Sequence, residues 1–600
     1  MAKGVFTSPN YTKNKGIPTK PNVDSRFVLK RLWVYFKDYK LRVFFVLLLT
    51  LMSNLLALLT PVFIGSAINS MKKGDRILLS GPLFQNVVLI FLTVVLSAFL
   101  AWGSQRLLIG VTTNVTNLLR NGLFLKVGVL PVSYFDKTPK GEVLSHLSYD
   151  VDTLNTSLSS DIIQGLTSIL TVVGSLAMML YISPSLVTMF LVLVPLTIFL
   201  TNKITKHTRH LFQMRSIQIA DLNGYTEEML SGKKTVLAYG HEKATIQKFK
   251  ELNENLTATS SKAQYLSSIL MPSLNFINNL AFLMIAILGI FLSIQGKISI
   301  GGISSFILYS KKFTGPINET AGILGDIQSA LACGERIFAF LDEPPEPEDE
   351  MDAVCINDPL GDLSFHNVSF EYIKDIPVLR DINLEISHGK VVAIVGPTGV
   401  GKTTFVNLLM RFYDVNKGSI EVDGIPIRKI TRECLRRSFG MVLQDPFLFS
   451  GSIRKNITYG TSSVTEEQMI AASKAAHIHS FIDRLPDGYD TLLHEEGIRL
   501  SEGQKQLLVI ARTMLANPAM LILDEATSSI DTRTEILIQK AMTRLMQGRT
   551  CFVIAHRLST IRDADLILVM KDGQVAESGS HEQLLLKGGF YKQLYESQAL

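Results

Sequence analysis

The sequence contains few cysteines and few charged residues, and it shows no apolar leader segment. Its four cysteines lack the spacing of metal ligands, and we expect reduced thiols with structural roles for Cys333, Cys355, Cys434 and Cys551. Residues 1–22 are polar and contain proline, so we expect no signal peptide. Charged residues make up only 19% of the chain, against about 25% in ordinary soluble domains. This shortage argues against an ordinary soluble protein.

The hydrophobic residues indicate a membrane-embedded part joined to a soluble part. They make up 47% of the 600 residues, and a chain of this length is too long for a single core. The net charge of +6 is modest, and no segment shows the basic and aromatic stripe that is typical of nucleic-acid binding. We therefore expect a lipid bilayer and no nucleic acid as a partner.

Long apolar segments predict an all-α transmembrane domain of six helices over residues 41–335. A span needs about 20 residues to cross the hydrocarbon core. Residues 1–23 are expected to be a mobile tail, and residues 24–40 are predicted to form an amphipathic elbow helix on the bilayer surface. The six predicted spans centre on Val43–Ile68, Asn86–Val111, Ile162–Ile182, Leu186–Leu200, Leu266–Ile294 and Ile303–Gly322.

The loops between these spans predict the orientation of the chain. The links between spans two and three and between spans four and five are long, polar and rich in lysine and arginine. The positive-inside rule places these links and the N-terminus in the cytoplasm of a multi-pass protein of the cell membrane. Residues 336–360 are an acidic, proline-rich linker, and residues 361–600 alternate short apolar strands with helical segments, which predicts a cytoplasmic α/β domain.

The soluble part contains a motif that predicts a phosphate-binding loop. Its residues match G-x-x-x-x-G-K-S/T between an apolar strand and a helix, which is the context that this motif requires. Backbone N–H groups and the helix N-terminus would hold the phosphates of ATP. Lys402 would reach the β- and γ-phosphates, and Thr403 would bind Mg²⁺. The predicted ATP contacts in this segment are Gly396, Pro397, Thr398, Gly399, Val400, Gly401, Lys402, Thr403 and Thr404.

Two further apolar strands end in polar residues that suit phosphoryl transfer. Asp524 and Glu525 follow the strand that begins at Met520, and His556 follows the next strand candidate. We expect Asp524 to hold Mg²⁺ and Glu525 to polarise the attacking water. His556 would contact the γ-phosphate.

A five-residue motif gives the sequence its family resemblance. Leu500, Ser501, Glu502, Gly503 and Gln504 resemble the signature L-S-G-G-Q, and KQLLVIAR follows. From about residue 26 to its end the chain resembles an ATP-binding cassette exporter subunit of the bacterial multidrug type. The resemblance implies the type I exporter fold, in which the six-helix domain is fused to an α/β P-loop NTPase.

The resemblance also implies roles for single residues. Tyr372 would stack on adenine. Gln444 would sense Mg²⁺ and the attacking water, so the catalytic set becomes Glu525, His556 and Gln444 and the Mg²⁺ ligands Thr403, Gln444 and Asp524. Asp531 matches the D-loop aspartate. Residues 131–152 and 223–232 resemble the two cytoplasmic links that carry coupling helices onto the ATPase domains.

Glu502 is a departure from the family signature, which has glycine at this position. A carboxylate near a bound triphosphate adds like-charge repulsion. Either the change is neutral and Glu502 points to solvent, or this signature serves a slow, degenerate site. In this family two chains sandwich two ATP molecules between one P-loop and the opposite signature. We therefore expect a second homologous half-transporter as partner, with a heterodimer favoured over a homodimer.

The cargo is expected to be a small amphipathic compound, drug-like or lipid-like, because the resembled family exports such compounds. Lipid, peptide and haem-like cargo remain open alternatives. Two other classes also remain: an importer-type ATPase, against which the fused spans argue, and a non-transporting ATPase that acts as a regulator or channel.

Overall fold

The computed structural model describes residues 25–72, 81–461, 463–493, 500–524, 531–554 and 561–599. The chain divides into two compact units. The helical unit comprises the chain up to Gly128 together with Lys140–Glu343, and the soluble unit comprises Val129–Pro139 together with Pro344–Leu600.

Long helices build the first unit. Pi-helical turns at His146–Asp150 and Ser157–Asp161 join its middle segments, and the three residues Lys37–Tyr39 form a 3-10 turn after the first helix. In chain order the helices are α1 (Ser25–Phe36), α2 (Lys40–Lys72), α3 (Pro82–Val129), α4 (Val132–Lys137), α5 (Lys140–Ser145), α6 (Val151–Thr156), α7 (Ile162–Ile182), α8 (Pro184–Val187), α9 (Phe190–Ser231), α10 (Lys233–Ala238), α11 (Glu242–Ile294) and α12 (Ile300–Asp342). The short helix α4 is grouped with the soluble unit.

Apolar composition marks four helical stretches of the described chain as candidate membrane spans. They are Ser25–Met71, Pro82–Val129, Lys140–Ile182 and Glu242–Ile294, with mean hydropathies between 1.8 and 2.4. Helices α9 and α12 are 42 and 43 residues long and are not among these four stretches. Helix α12 contains the sixth span that the sequence predicts, and the fourth, Leu186–Leu200, begins in α8 and continues into α9.

The interior of the helical unit combines apolar packing with short polar contacts. Helix α12 packs along α2 and α7, and α9 packs along α11. Tyr309 is fully buried, and its hydroxyl donates to the carbonyl of Leu58. Met179 and Phe306 lie in the same apolar cluster. Packing is thus the role of these three side chains in the unit.

A buried carboxylate joins the end of α12 to the segment before α6. Asp150 has a side chain that is 1% exposed and accepts hydrogen bonds from Arg336 Nε at 3.0 Å and from His146 Nδ1 at 2.8 Å. Burial opposes ionisation of Asp150, but the hydrogen bonds from Arg336 and His146 outweigh it and hold its pKa below the ordinary value.

Two main sheets form the soluble unit. Its strands are β1 (Leu363–Ile373), β2 (Ile376–Ile386), β3 (Val391–Val395), β4 (Lys417–Val422), β5 (Ile425–Pro426), β6 (Phe439–Val442), β7 (Gly451–Ser452), β8 (Leu492–Leu493), β9 (Met520–Asp524), β10 (Thr550–Ile554), β11 (Leu566–Lys571) and β12 (Gln574–Gly579). Its helices after α12 are α13 (Lys402–Leu409), α14 (Arg432–Arg437), α15 (Ile453–Ile457), α16 (Glu466–Ala475), α17 (His479–Ile482), α18 (Glu502–Ala516), α19 (Thr532–Met546), α20 (His581–Lys587) and α21 (Phe590–Ala599).

The central sheet is parallel except at one edge. Its order is β12-β11-β3-β10-β9-β6, and only the β11–β12 pair is antiparallel. Strands β3, β9 and β10 are almost completely buried, as continuous apolar runs in parallel sheets require. The antiparallel sheet β2-β1-β4-β5 is joined to it by aromatic packing, since Phe405 of α13 stacks on Phe365 at 4.8 Å and lies 5.9 Å from Phe552.

Acidic residues of the linker are ion-paired with buried arginines of the soluble unit. Asp349 pairs with Arg432 at 2.6 Å and with Arg411 at 3.4 Å, and both arginine side chains are less than a tenth exposed. Glu346 pairs with Arg436 through two nitrogens. The linker is therefore a strap whose charges compensate buried cations, which would otherwise be costly.

In the same strap the structure differs from the predicted cysteine chemistry. We expected four reduced thiols, but Cys355 and Cys434 form a disulfide with their Cα atoms 5.5 Å apart. Parallel pairing of Val354 with Ile430 brings the strap beside α14 and so places the two cysteines together. Cys333 and Cys551 are free and buried, as predicted.

Candidate nucleotide-binding site

The predicted site residues gather where the parallel strands end. β10 pairs with β3 through Ile554 and Ile394, and with β9 through Ile554 and Asp524. β6 pairs with β9 through Val442 and Leu523. Because carboxyl ends of parallel strands share one edge, the loop after β3, Asp524 at the end of β9 and Gln444 just beyond β6 lie along this edge. Such an edge is where open α/β sheets bind ligands.

The loop between β3 and α13 has a backbone shape that depends on glycine. Gly399 and Gly401 adopt φ values of +84° and +104°. A Cβ atom on Gly401 would lie 2.8 Å from Leu379 Cδ2, so a side chain would be both strained and crowded there. Pro397 and Thr398 are exposed at the tip, whereas Thr404 is buried under the loop. The loop and the N-terminus of α13 therefore fit an anion such as a phosphate.

Lys402 supplies the cation of this loop. Its Nζ donates a hydrogen bond of 2.6 Å to the carbonyl of Gly396, so the amine lies within the loop. Burial lowers the pKa of Lys402, and the nearby charge of Asp524 acts in the opposite direction. An ammonium group placed between a phosphate loop and a carboxylate matches the predicted role of Lys402 toward the β- and γ-phosphates.

The predicted Mg²⁺ ligands comprise one hydroxyl, one amide and one carboxylate. Thr403 opens the first turn of α13, Asp524 ends β9, and Gln444 is exposed beyond β6. Among the described residues no group of three or more histidine, cysteine or acidic side chains could hold a metal ion. This donor set fits Mg²⁺, which typically takes one or two protein oxygens together with substrate phosphates and water.

Tyr372 lies at the rim of the site with its ring partly free. Its hydroxyl is 3.2 Å from Thr404 Oγ1 and accepts from Asn407 Nδ2 at 3.4 Å. The side chain is 39% exposed. Edge contacts with Phe370 and Tyr413 at 4.8 and 5.0 Å fix the ring. A fixed, partly exposed ring beside the phosphate loop suits the predicted stacking on adenine.

The signature residues lie at the N-terminus of another helix. Ser501 caps α18, since Ser501 Oγ accepts from the Gln504 N–H and the Gln504 side chain accepts from the Ser501 N–H at 2.9 Å. Gly503 is buried, and Leu500 precedes the cap. Glu502 is exposed and forms an ion pair of 2.7 Å with Lys505 one turn along α18. The carboxylate thus has a cation of its own chain beside it.

Asp531 also caps a helix. It accepts a hydrogen bond of 3.0 Å from the Thr534 N–H at the start of α19, and this backbone bond lowers the pKa of Asp531. The predicted catalytic residues Glu525 and His556 lie outside the described residues. In the sequence Glu525 directly follows Asp524, and His556 is the second residue after β10. The roles of both residues remain predictions.

Sequence reasoning did not identify the residues that connect the adenine side of the site to α4. Tyr413 packs against Tyr372, and its hydroxyl donates to Asp136 Oδ2 at 2.6 Å. Burial, followed by the bond to Asp136, raises the pKa of Tyr413 well above its ordinary value. The peptide N–H of Glu346 donates to the carbonyl of Val129 beside the same helix. These partners are far apart in sequence, so no local pattern indicates them.

Comparisons with known proteins match both parts of the chain. Residues 43–317 match the ABC transporter transmembrane region and residues 379–528 match the ABC transporter family model. An uncharacterised ABC transporter ATP-binding protein of Bacillus subtilis is 42% identical over 575 residues, which is 96% of this chain and 95% of that protein. A fatty acid ABC transporter ATP-binding/permease protein of Mycobacterium tuberculosis is 44% identical over 501 residues, 83% of this chain and 79% of that one.

A solved structure extends the likeness to three dimensions. The structure of a bacterial Atm1-family ABC exporter with ATP bound superposes with a TM-score of 0.72 at 29% identity, covering 94% of this chain and 98% of that one. An ATP-dependent lipid A-core flippase of Syntrophus aciditrophicus is 37% identical over 480 residues, 80% of each chain.

Proposed function

The chain belongs to the ABC transporter family as one half of an ATP-hydrolysing exporter, and we propose that its cargo is a lipid-like amphiphile. The observation that carries the proposal is the likeness of 44% over 501 residues to a fatty acid transporter. The lipid A-core flippase from Syntrophus supports the same class. Both named cargos combine an anionic head group with acyl chains. A drug-like amphiphile is the second candidate, on the resemblance to multidrug exporters alone.

The chain's own residues divide the work of ATP hydrolysis. The phosphate loop and Lys402 bind the phosphates, Tyr372 orients the base, and Thr403, Asp524 and Gln444 would hold Mg²⁺. The metal, when bound, neutralises charge on the phosphoryl oxygens. Glu525 orients and polarises the attacking water, and His556 contacts the γ-phosphate. The Asp136–Tyr413 hydrogen bond would transmit the state of the site to α4.

We propose that the working unit is a dimer in the cell membrane with its ATPase domains in the cytoplasm. A heterodimer is supported by Glu502, because a homodimer would place this carboxylate at both sandwiched ATP molecules. The Glu502–Lys505 ion pair favours the alternative homodimer, since it offsets the added charge. In either case α10 is exposed and free to contact a partner's ATPase domain.

The experiment is transport by the purified exporter in proteoliposomes. Oleoyl lysophosphatidate is the transport probe, because its permanent charge slows passive crossing of the bilayer. We expect ATP-dependent accumulation of this lipid and faster ATP hydrolysis in its presence. Lys402→Ala is the control and should abolish both. Stimulation by cationic drugs alone, without lipid movement, would overturn the lipid assignment and leave the drug-like alternative.

A further inference from the structure

Two adjacent lysines lie within α12 at membrane depth. We propose that Lys311, assisted by Lys312, binds the anionic head group of the transported amphiphile, while the acyl chain occupies the apolar groove between α11 and α12. The inference rests on the proposed function and specifies the substrate class of the same exporter.

The depth of the lysines follows from helix geometry. Helix α11 ends at Ile294 and α12 begins at Ile300, so a five-residue loop marks the membrane boundary. Lys311 is eleven residues into α12, which corresponds to roughly 17 Å at about 1.5 Å per residue. Phe282 lies twelve residues before the end of α11, which gives roughly 18 Å. Lys311 Nζ lies 5.2 Å from the Phe282 ring centroid, so the two depths agree.

This depth is close to the middle of a hydrocarbon core about 30 Å thick. Ionisable side chains at such depth are expensive and mark substrate pathways. A lysine stem is too short to carry its amine to either surface from the midplane. Lys311 Nζ lies over the Phe282 ring, and among the described side chains no ion pair is found for Lys311 or Lys312. An anionic head group would compensate the two charges.

The lining of an apolar groove comes within one helical turn of Lys311. Its volume is about 720 Å³, and its lining comes from the outer ends of α11 and α12, including Ala286, Ile290, Ile303 and Ile307. Ile307 is one helical turn from Lys311, and Ala286 is one turn from Phe282, so the Lys311–Phe282 contact lies one turn beyond the inner residues of the groove. The volume is within the range of about 300–1,000 Å³ that ligand pockets occupy.

The groove and the lysines together have the polarity of an amphiphile. Beyond the lysines, toward the cytoplasmic side of α12, Thr314 lines a small and mostly apolar cavity of about 20 Å³. Pro316 lines a second cavity of about 370 Å³ whose other walls are mostly hydroxyl and amide side chains of α3 and α7. Polar surface, then cations, then apolar groove is the order that a head group and its chain require. A neutral or cationic cargo would leave both ammonium groups uncompensated.

The experiment measures ATPase activation of the full exporter in detergent-free nanodiscs of neutral lipid. Oleate, oleoyl lysophosphatidate, oleyl alcohol and oleylamine share one chain and differ in the head group. We expect the two anions to activate the wild-type protein and Lys311→Gln to raise their half-maximal concentration at least tenfold. Lys312→Gln should raise it less, and Lys311→Arg should retain activation. Unequal responses to the two anions would identify the carboxylate or the phosphate as the preferred head group.

The control is Lys297→Gln, which removes a lysine from the loop between α11 and α12 without touching the groove. Basal ATPase activity and elution as a monodisperse dimer report folding of every variant. If oleate and lysophosphatidate activate Lys311→Gln and Lys312→Gln at the same half-maximal concentration as the wild type, the head-group inference is wrong. The proposed lipid cargo would be unaffected by that result. Absence of activation of the wild-type protein by all four compounds would instead contradict the proposed lipid cargo.

Discussion

Tyr372 illustrates how a single side chain combines a binding surface with local support. Its hydroxyl contacts Thr404 and Asn407 of α13, so the ring is held from its distal end while part of it stays exposed. We expect Tyr372→Ala to raise the KM for ATP about threefold to tenfold, the equivalent of roughly 0.5–1.5 kcal/mol of ring contact. Tyr372→Phe should stay within about twofold of the wild type, because the ring face remains. Steady-state ATPase kinetics test this, and equal effects of the two substitutions would contradict stacking.

Asp150 has a structural role. Its carboxylate is buried, whereas Asp152, two residues later, is 68% exposed in its pair with Arg120. We expect Asp150→Asn to destabilise the exporter by about 2 kcal/mol, because it removes a charged hydrogen-bond acceptor from Arg336. Asp152→Asn is the matched control and should cost less than about 1 kcal/mol. Thermal unfolding monitored by aggregation compares the two.

The lowered pKa of Asp150 fixes the direction of the pH dependence. A carboxylate with a depressed folded pKa contributes stability above its unfolded pKa, near about 3.9, and loses it as the pH falls through the folded value. The difference between wild type and Asp150→Asn should therefore be constant from neutral pH down to mildly acidic pH and shrink only at strongly acidic pH. A difference that disappears between pH 8 and pH 6 would assign the effect to another group.

At the scale of elements, the Tyr413–Asp136 hydrogen bond joins α4 to the adenine side of the site. We expect Tyr413→Phe to leave basal ATP hydrolysis within about twofold and to reduce its stimulation by an activating amphiphile at least twofold. The physical reason is that loss of one hydrogen bond to a charged group weakens the link by about 1.5–3 kcal/mol. The ratio of stimulated to basal activity is the measurement.

Asp136→Asn and the double variant complete a mutant cycle for this link. The two single effects should not add, because both substitutions remove the same contact. Additive effects, or an unchanged stimulation ratio in Tyr413→Phe, would show that this hydrogen bond does not connect α4 to the site.

The elements that sequence could predict are those with local signals. An apolar strand, glycines and a following lysine define β3, the phosphate loop and α13, and the structure has these elements in that order. Partners distant in sequence could not be predicted. The pairing of Asp349 with Arg432 spans 83 residues, and the disulfide spans 79. The acidic composition of the linker did not indicate its partners, which are three arginines of the soluble unit.

The C-terminal end of α12 also could not be predicted from the local sequence. The transmembrane domain was predicted to end at residue 335, yet α12 continues to Asp342. The continuation is stabilised by tertiary contacts, since Ile337 and Phe338 are fully buried and Arg31 pairs with Asp342. The added residues, RIFAFLD, are mostly apolar, and the helix ends where the acidic, proline-rich segment begins.

At the scale of the whole molecule, the chain contains both segments that we propose to face each other across ATP in a dimer. The phosphate loop, Asp524 and Gln444 share one sheet edge, whereas Ser501 and Gln504 cap α18 elsewhere in the soluble unit. The exposed N-terminus of α18 offers N–H groups and a helix dipole to an anion. Since the family sandwiches ATP between two chains, the identity of the second chain decides whether Glu502 faces one ATP molecule or two.

The number of ATP molecules that Glu502 faces leads to a prediction about the assembly. If the unit is a heterodimer, the purified chain alone should show weak ATPase activity, and its complex with the homologous partner should show one fast site. Glu525→Gln should then cut hydrolysis by the complex at least tenfold, or about 1.4 kcal/mol in the barrier, because this chain's phosphate loop serves that site.

Glu502→Gly should change the rate little if the partner lacks its own catalytic glutamate. Lys505→Ala is the matched test of charge, since it frees the Glu502 carboxylate and should weaken ATP binding at the second site. Robust, cargo-stimulated hydrolysis by the single chain would establish the homodimer, with the Glu502–Lys505 pair as the reason that both sites work.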